Sequence, residues 1–136
     1  MKREGDGGTP IGRHALLAGF ARFDRRAPGP LAFPLAAIRS GDGWCDAPGD
    51  RNYNRAVALP YPAGHERMMR DDRLYDTVLV MDHNVTRRLT RGGSAIFFHV
   101  ARPGFPPTEG CVAVSPRDMA WLLARLRPGD TVRVEG

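Results

Sequence analysis

The residues best suited to chemistry in this chain are Cys111 and His99. A thiol paired with an imidazole is the common route to a thiolate nucleophile near neutral pH, because the ring takes the proton that the sulfur must lose. Gly110 precedes the cysteine. With no side chain there, backbone N–H groups at Gly110 and Cys111 can turn toward a developing oxyanion. Together these three residues fit a thiol nucleophile with a backbone oxyanion site. A plainer reading stands beside it: a buried cysteine is often a small core residue, and a histidine in an apolar strand is often a hydrogen-bonded core residue. His83, at the end of another apolar run, is a second candidate base, although a histidine in a turn is more often merely exposed. Cys45 ranks below Cys111 as a nucleophile, since no helix start and no histidine lie near it in sequence.

The elements around the pair predict how it is held. Ala95 to Val100 is an apolar run broken only by His99, the pattern of a buried strand. Arg102 to Gly110 contains three prolines and two glycines and reads as a stiff loop. Cys111 to Val114 is extended and apolar. Ser115-Pro116-Arg117-Asp118 then starts a helix, with Ser115 as N-cap, Pro116 at the first helical position and Asp118 in the first turn. The helix is expected to run to about Leu126, with Met119, Leu122, Leu123 and Leu126 on one buried face and Trp121 at its edge. Pro128-Gly129 ends it, and Thr131 to Val134 is a closing strand.

Upstream, Thr9-Pro10 fixes an extended segment after a glycine-rich start. His14 to Phe23 fits either a short helix or a strand, and strand is favoured. Asp24 to Pro30 is a turn region, and Leu31 to Arg39 holds Pro34, so it is an edge strand at best. Ser40 to Asn54, rich in glycine and aspartate, is expected to be a long loop. Ala56 to Pro60 is a short strand, Glu66 to Tyr75 a surface turn or short helix, and Thr77 to Asp82 a central strand apolar on both faces. Thr86 to Gly93 is an arginine-rich turn.

Two metal motifs fail on inspection. The aspartates near Asp42, Asp46 and Asp50 lack calcium-loop spacing and a closing glutamate, and His65-Glu66-Arg67-Met68-Met69 has Met69 where a zinc-protease helix needs its second histidine. No metal or cofactor is expected. A Cys45–Cys111 disulfide would disable the nucleophile, and its geometry is not readable from sequence.

Thr108-Glu109-Gly110-Cys111-Val112-Ala113, with His99 upstream, resembles the catalytic signature of the L,D-transpeptidase (YkuD-like) family. A second similarity lies at Gly5-Asp6-Gly7-Gly8-Thr9-Pro10-Ile11-Gly12, where that family carries glycine followed by Thr-Pro-x-Gly near the start of its domain. The resemblance spans roughly Lys2 to Val134. Glu109 stands where the family's common motif has histidine, Ala113 where it has arginine or asparagine, and the His-to-Cys spacing is shorter than in many members. These departures bear on substrate choice more than on thiol chemistry.

The resemblance implies a mainly β domain: a YkuD-like sandwich of two mixed sheets with one C-terminal helix, about 115–126, over a single domain of residues 1–136. It implies Cys111 as nucleophile and His99 as base, with the other ring nitrogen of His99 oriented by a backbone carbonyl. The implied substrate is a peptidoglycan stem peptide, cut after its third residue and joined to an amine. β-Lactams of the carbapenem class are implied inhibitors. Expected substrate contacts are Tyr53, Arg55, Arg102, Thr108 and Glu109. Tyr53 and Arg55 read equally well as loop packing and a solvated arginine. Glu109 beside the thiol disfavours the thiolate, Arg102 could offset it, and Glu109 could instead hold an acceptor amine. Readings with the same fold are an L,D-carboxypeptidase or D-amino-acid exchange enzyme acting on muropeptides in the cytoplasm, and a non-catalytic wall-binding domain.

Composition bounds the remaining classes. With 136 residues, 42% hydrophobic and 26% charged, the chain suits one ordinary globular domain. Met1-Lys2-Arg3 is followed by Glu4, Gly5 and Asp6 rather than an apolar segment. That favours a cytoplasmic location, or a mature form or fragment of an envelope protein, as the family implies. No apolar run is long enough to span a membrane. The formal charge is +5, and 19 of the 20 basic residues are scattered arginines, so a nucleic-acid partner is not expected.

Overall fold

A computed structural model describes residues 5, 8–25, 29–87, 89, 92–101, 108 and 110–135. The strands are β1 (Gly12–Ala21), β2 (Leu35–Ala37), β3 (Asp42–Cys45), β4 (Arg55–Ala58), β5 (His65–Arg67), β6 (Thr77–Met81), β7 (Phe97–Val100), β8 (Val112–Val114) and β9 (Thr131–Val134), and the helix is α1 (Pro116–Leu123). The larger sheet runs β2-β1-β6-β7-β8, with β9 also paired to β1, and the smaller runs β4-β3-β5. The larger sheet is mixed: β1–β2 and β7–β8 are parallel, whereas β1–β6, β1–β9 and β6–β7 are antiparallel. The protein is thus mainly β, with two sheets and one short C-terminal helix.

Period-two alternation sorts the core. Along β6, Leu79 and Met81 join Leu16, Phe33, Ile96, Phe98, Val100, Met119 and Leu123 in a cluster under the helix. Val78 and Val80 point the other way, into a cluster with Trp44, Met68, Tyr75 and Phe97 under the smaller sheet. With a layer on each face, every residue of β6 is buried, which is why its sequence reads as continuously apolar. The turn before β4 folds back on β3, where the Asn54 N–H donates to Cys45 O at 2.8 Å.

The predicted helix start is present: Ser115 caps it, accepting from the Asp118 N–H at 3.0 Å, with Pro116 in the first turn. The helix ends at Leu123 rather than Leu126. Arg125 N and Leu126 N both bond Leu122 O, and Asp130 Oδ2 accepts from Arg127 N at 2.9 Å, so the chain turns before Pro128. Leu122 and Leu126 pack only partly, and Trp121 is exposed, with the Arg125 guanidinium 4.0 Å from its ring centre.

Two other expectations need correction. Residues 40–54 are not a continuous loop, because β3 lies within them and is the centre of the smaller sheet. Gly43, which reads as a loop residue, is there because neighbours crowd it: a Cβ would fall 2.6 Å from Leu59 Cδ2 and 3.2 Å from Glu66 O. Of the two readings for residues 66–75, the turn holds and the helix does not; the stretch opens with edge strand β5, whose outer residues His65 and Arg67 are exposed while Glu66 is half-buried. Charged side chains on such an edge discourage further strand pairing. His14 to Phe23 forms a strand, as favoured, but it begins two residues earlier, at Gly12.

Candidate active site

Strands β7 and β8 bring His99 and Cys111 to one face. The parallel pairing sets Phe98 against Val112, His99 against Ala113 and Val100 against Val114, so Cys111 stands one residue before β8. Phe97 and His99, two apart on a strand, share a face. Phe97 lies in the cluster under the smaller sheet, and Cys111 packs against that cluster. His99 is buried, with its ring edge-on to Tyr75 at 5.6 Å between centroids. Tyr75 also meets Phe97 edge-on, and Phe97 meets Trp44 the same way.

The His99 ring is oriented by its own strand. Nδ1 lies 2.8 Å from Val100 O. A carbonyl can only accept, so Nδ1 carries a proton, and in the neutral form of the ring the lone pair then belongs to Nε2. That is the tautomer a general base requires, and the orienting group is a backbone carbonyl, as expected.

The Cys111 sulfur is half-buried and held by two backbone groups at the start of β7. Its thiol donates to Ala95 O at 3.2 Å, and the Phe97 N–H donates to the sulfur at 3.4 Å. Thr108 fixes the same residue from the other side, its hydroxyl donating to Cys111 O at 2.6 Å. Gly110 has φ of +96°, and a Cβ there would fall 2.7 Å from Gly8 O. Glycine is required both for the backbone angle and for the close approach of the N-terminal segment. Gly8 is therefore placed against the residue that precedes the cysteine.

Behind the sulfur sits a polar node. Asn54 is fully buried, and its Oδ1 accepts from Trp44 Nε1 at 2.9 Å and from Ala95 N at 3.1 Å, while its Nδ2 donates to His83 O at 3.1 Å. Asn84 Nδ2 donates to Gly93 O at 3.1 Å, and the Gly93 N–H donates to the Tyr53 hydroxyl at 3.1 Å. Asn54, Asn84 and Ala95 have φ of +57°, +59° and +53°. Left-handed backbone at a non-glycine residue costs about 1–2 kcal/mol, least at asparagine, so the node holds Ala95 in a conformation it would not choose.

On the opposite flank, the Tyr75 hydroxyl donates to Glu66 Oε1 at 2.7 Å. Burial, and then the Glu66 carboxylate, push the Tyr75 hydroxyl far above its usual range, so it stays neutral. Arg70 lies over the Tyr75 ring at 5.1 Å and pairs with Asp72 at 2.7 Å.

The remaining predicted residues distribute as follows. Tyr53 is buried and accepts from Gly93 N, the loop-packing alternative for this residue. Arg55, on β4, is half-buried and donates to Asn54 O at 3.0 Å. Thr108 anchors the Cys111 carbonyl. Arg102 and Glu109 lie outside the described residues. His83, the alternative base, has Nε2 2.8 Å from Gly92 O and its ring against His14. Cys45 is a buried free thiol on β3, 3.5 Å from Asp50 Oδ2, and burial raises its pKa. Cys111 is not in a disulfide either, so the two cysteines are not bridged. Sequence reasoning missed Asn54 and Tyr75. Asn54 lies between two residues the sequence does single out, Tyr53 and Arg55, but carries neither charge nor ring.

Among the described residues no cluster of three or more His, Cys, Asp or Glu is arranged to hold a metal, and no helix is long and apolar enough to cross a membrane. No curated protein and no solved structure matches the chain. One family model does, that of the L,D-transpeptidase catalytic domain, over residues 1–134. With nearly the whole chain matched and a two-sheet fold of the expected kind, the protein belongs to the YkuD family of L,D-transpeptidase catalytic domains.

Proposed function

We propose that this chain is a cysteine acyltransferase acting on peptidoglycan stem peptides. The observation that carries the reading is the His99 Nδ1 bond to Val100 O, which leaves Nε2 basic on the face that Cys111 packs against. In the proposed cycle Nε2 takes the proton from the Cys111 thiol. The thiolate attacks the carbonyl of the third stem residue, and the N–H groups of Gly110 and Cys111 receive the oxyanion. The C–N bond breaks, and the leaving D-amino acid takes the proton from His99. An acceptor amine then attacks the thioester, losing its proton to His99, and the thiol is restored. Water in place of the amine makes the same site a carboxypeptidase.

Intact-protein mass spectrometry after incubation with a carbapenem tests the reading on wild type, Cys111→Ala and Cys45→Ala. The expected result is an adduct on wild type and Cys45→Ala and none on Cys111→Ala. No adduct on wild type, together with a Cys111 inert to iodoacetamide in the folded state, would leave a structural cysteine in a wall-binding domain. An alkylated but unacylated Cys111 would keep the thiol enzyme and remove the stem peptide as substrate.

A further inference from the structure

We propose that Asn54 is a positioning residue for Cys111, acting through Ala95, whose carbonyl is the resting acceptor of the thiol proton. The inference rests on Cys111 being the nucleophile. Each non-glycine residue with positive φ among the described residues takes part in the node next to the sulfur: Asn54, Asn84 and Ala95. Such strain persists where the surroundings over-determine it, and it concentrates at working sites. Here the surroundings are specific. Asn54 Oδ1 holds the Ala95 N–H, and the Ala95 carbonyl, one step further along the chain, receives the Cys111 thiol at 3.2 Å.

The Ala95 carbonyl and the Phe97 N–H, both of which meet the sulfur, depend on different supports. Phe97 belongs to β7 and pairs with Val80 of β6, and Ile96 O accepts from Met81 N, so the Phe97 N–H is held by the sheet. Ala95 precedes the strand, and its N–H is held by a side chain 41 residues away. A carbonyl facing the sulfur stabilises the protonated thiol, whereas an N–H facing it stabilises the thiolate. Removing Asn54 releases the first and leaves the second. The resting proton therefore sits on sulfur, directed at Ala95, until it is drawn to His99 Nε2. Among the described residues, the other charged or titratable groups on this side are Tyr75, kept neutral by burial, Glu66, bonded to it on β5, and Arg70, which lies over the Tyr75 ring.

Asn54→Gly separates these roles, because glycine takes φ of +57° without strain while the acceptor is lost. The measurement is the pH dependence of Cys111 alkylation by iodoacetamide, read by peptide mapping in the folded protein. Expected is a downward shift of the midpoint by about half to one pH unit, equivalent to about three- to tenfold faster alkylation below it. Trp44→Phe removes the other donor to Asn54 Oδ1 without touching Ala95, and its midpoint is expected to stay at the wild-type value. A folded Asn54→Gly whose midpoint is unchanged or raised overturns the proposal, as does a Trp44→Phe shift as large as that of Asn54→Gly. Should Asn54→Gly not fold, the S–H stretching band of the Cys45→Ala chain decides. A band lowered relative to the unfolded chain supports the resting bond to Ala95, and an unshifted or missing band overturns it. Alkylation needs no stem peptide, so a wild-type Cys111 that alkylates without being acylated would sink the substrate assignment and leave this test intact.

Discussion

Gly110→Ala is the most informative single substitution at the site, because it strains a backbone, closes a gap and moves the proposed oxyanion donors together. The backbone angle of +96° is one that L side chains rarely adopt, and holding one there costs about 1–3 kcal/mol. The new Cβ would stand 2.7 Å from Gly8 O and 3.2 Å from Ile96 Cδ1. Relieving those contacts displaces the N-terminal segment or the 110–111 peptide, and the total cost comes to about 2–4 kcal/mol. For a domain of this size that is a fall in Tm of roughly 6–15 °C. If the 110–111 peptide rotates, the N–H groups assigned to the oxyanion leave their positions, and losing one such donor costs about 100- to 1000-fold in rate. The assay pairs thermal melts with the rate of carbapenem acylation under conditions where both proteins are folded. The expected outcome is a folded variant with acylation at least about 100-fold slower. A variant with Tm within about 1 °C of wild type and acylation within about threefold would refute both the strain and the donor assignment.

The other predictions follow from His99 and Cys45. His99→Gln removes the basic nitrogen, so acylation of Cys111 should fall by about 100- to 10,000-fold while alkylation well above the thiol's titration range persists; acylation within about tenfold of wild type would remove His99 as base. Cys45 has a folded-state pKa raised above its ordinary value of 9.0, chiefly by burial. The stability it contributes is full below that value and is lost as pH rises through it, as the unfolded thiol ionises and the folded one resists. Tyr75 acts with the same sign at higher pH. Thermal melts between about pH 8 and about pH 10 should therefore decline less steeply for Cys45→Ala than for wild type, and parallel declines would show that burial of this thiol does not couple to pH.

Much of the site was legible because it is local. The apolar run around His99 and the Ser-Pro-x-Asp start of the helix depend on neighbours a few residues apart; the helix starts where the sequence places it, whereas the strand expected from Ala95 begins at Phe97, because Ala95 takes a left-handed backbone angle. The boundaries drifted where through-space contacts decide. Gly43 reads as a turn residue until Leu59 and Glu66 are packed over it, so β3 was hidden inside an expected loop. Asn54 makes its side-chain bonds to residues 10, 29 and 41 positions away, and no local pattern announces them. Tyr75 similarly acquires its place against His99 only when the loop before β6 folds over β7. The helix ended early because Arg127 is captured by Asp130, a competition that apolar periodicity does not register.

The two-faced burial of the larger sheet has a consequence for how insertions and deletions would be tolerated. On β7, His99 faces the smaller sheet, and its neighbours Phe98 and Val100 face the helix. A change of one residue in the connection that sets β7's pairing would send the imidazole into the apolar layer under α1 and turn a phenylalanine or valine toward Tyr75. Neither layer can absorb that exchange, since one would bury an imidazole away from its carbonyl partner and the other would lose the base. The histidine assigned to catalysis is thus also the residue that marks correct alignment of the sheet, and length changes near β7 are confined to loops that leave its pairing with β6 intact.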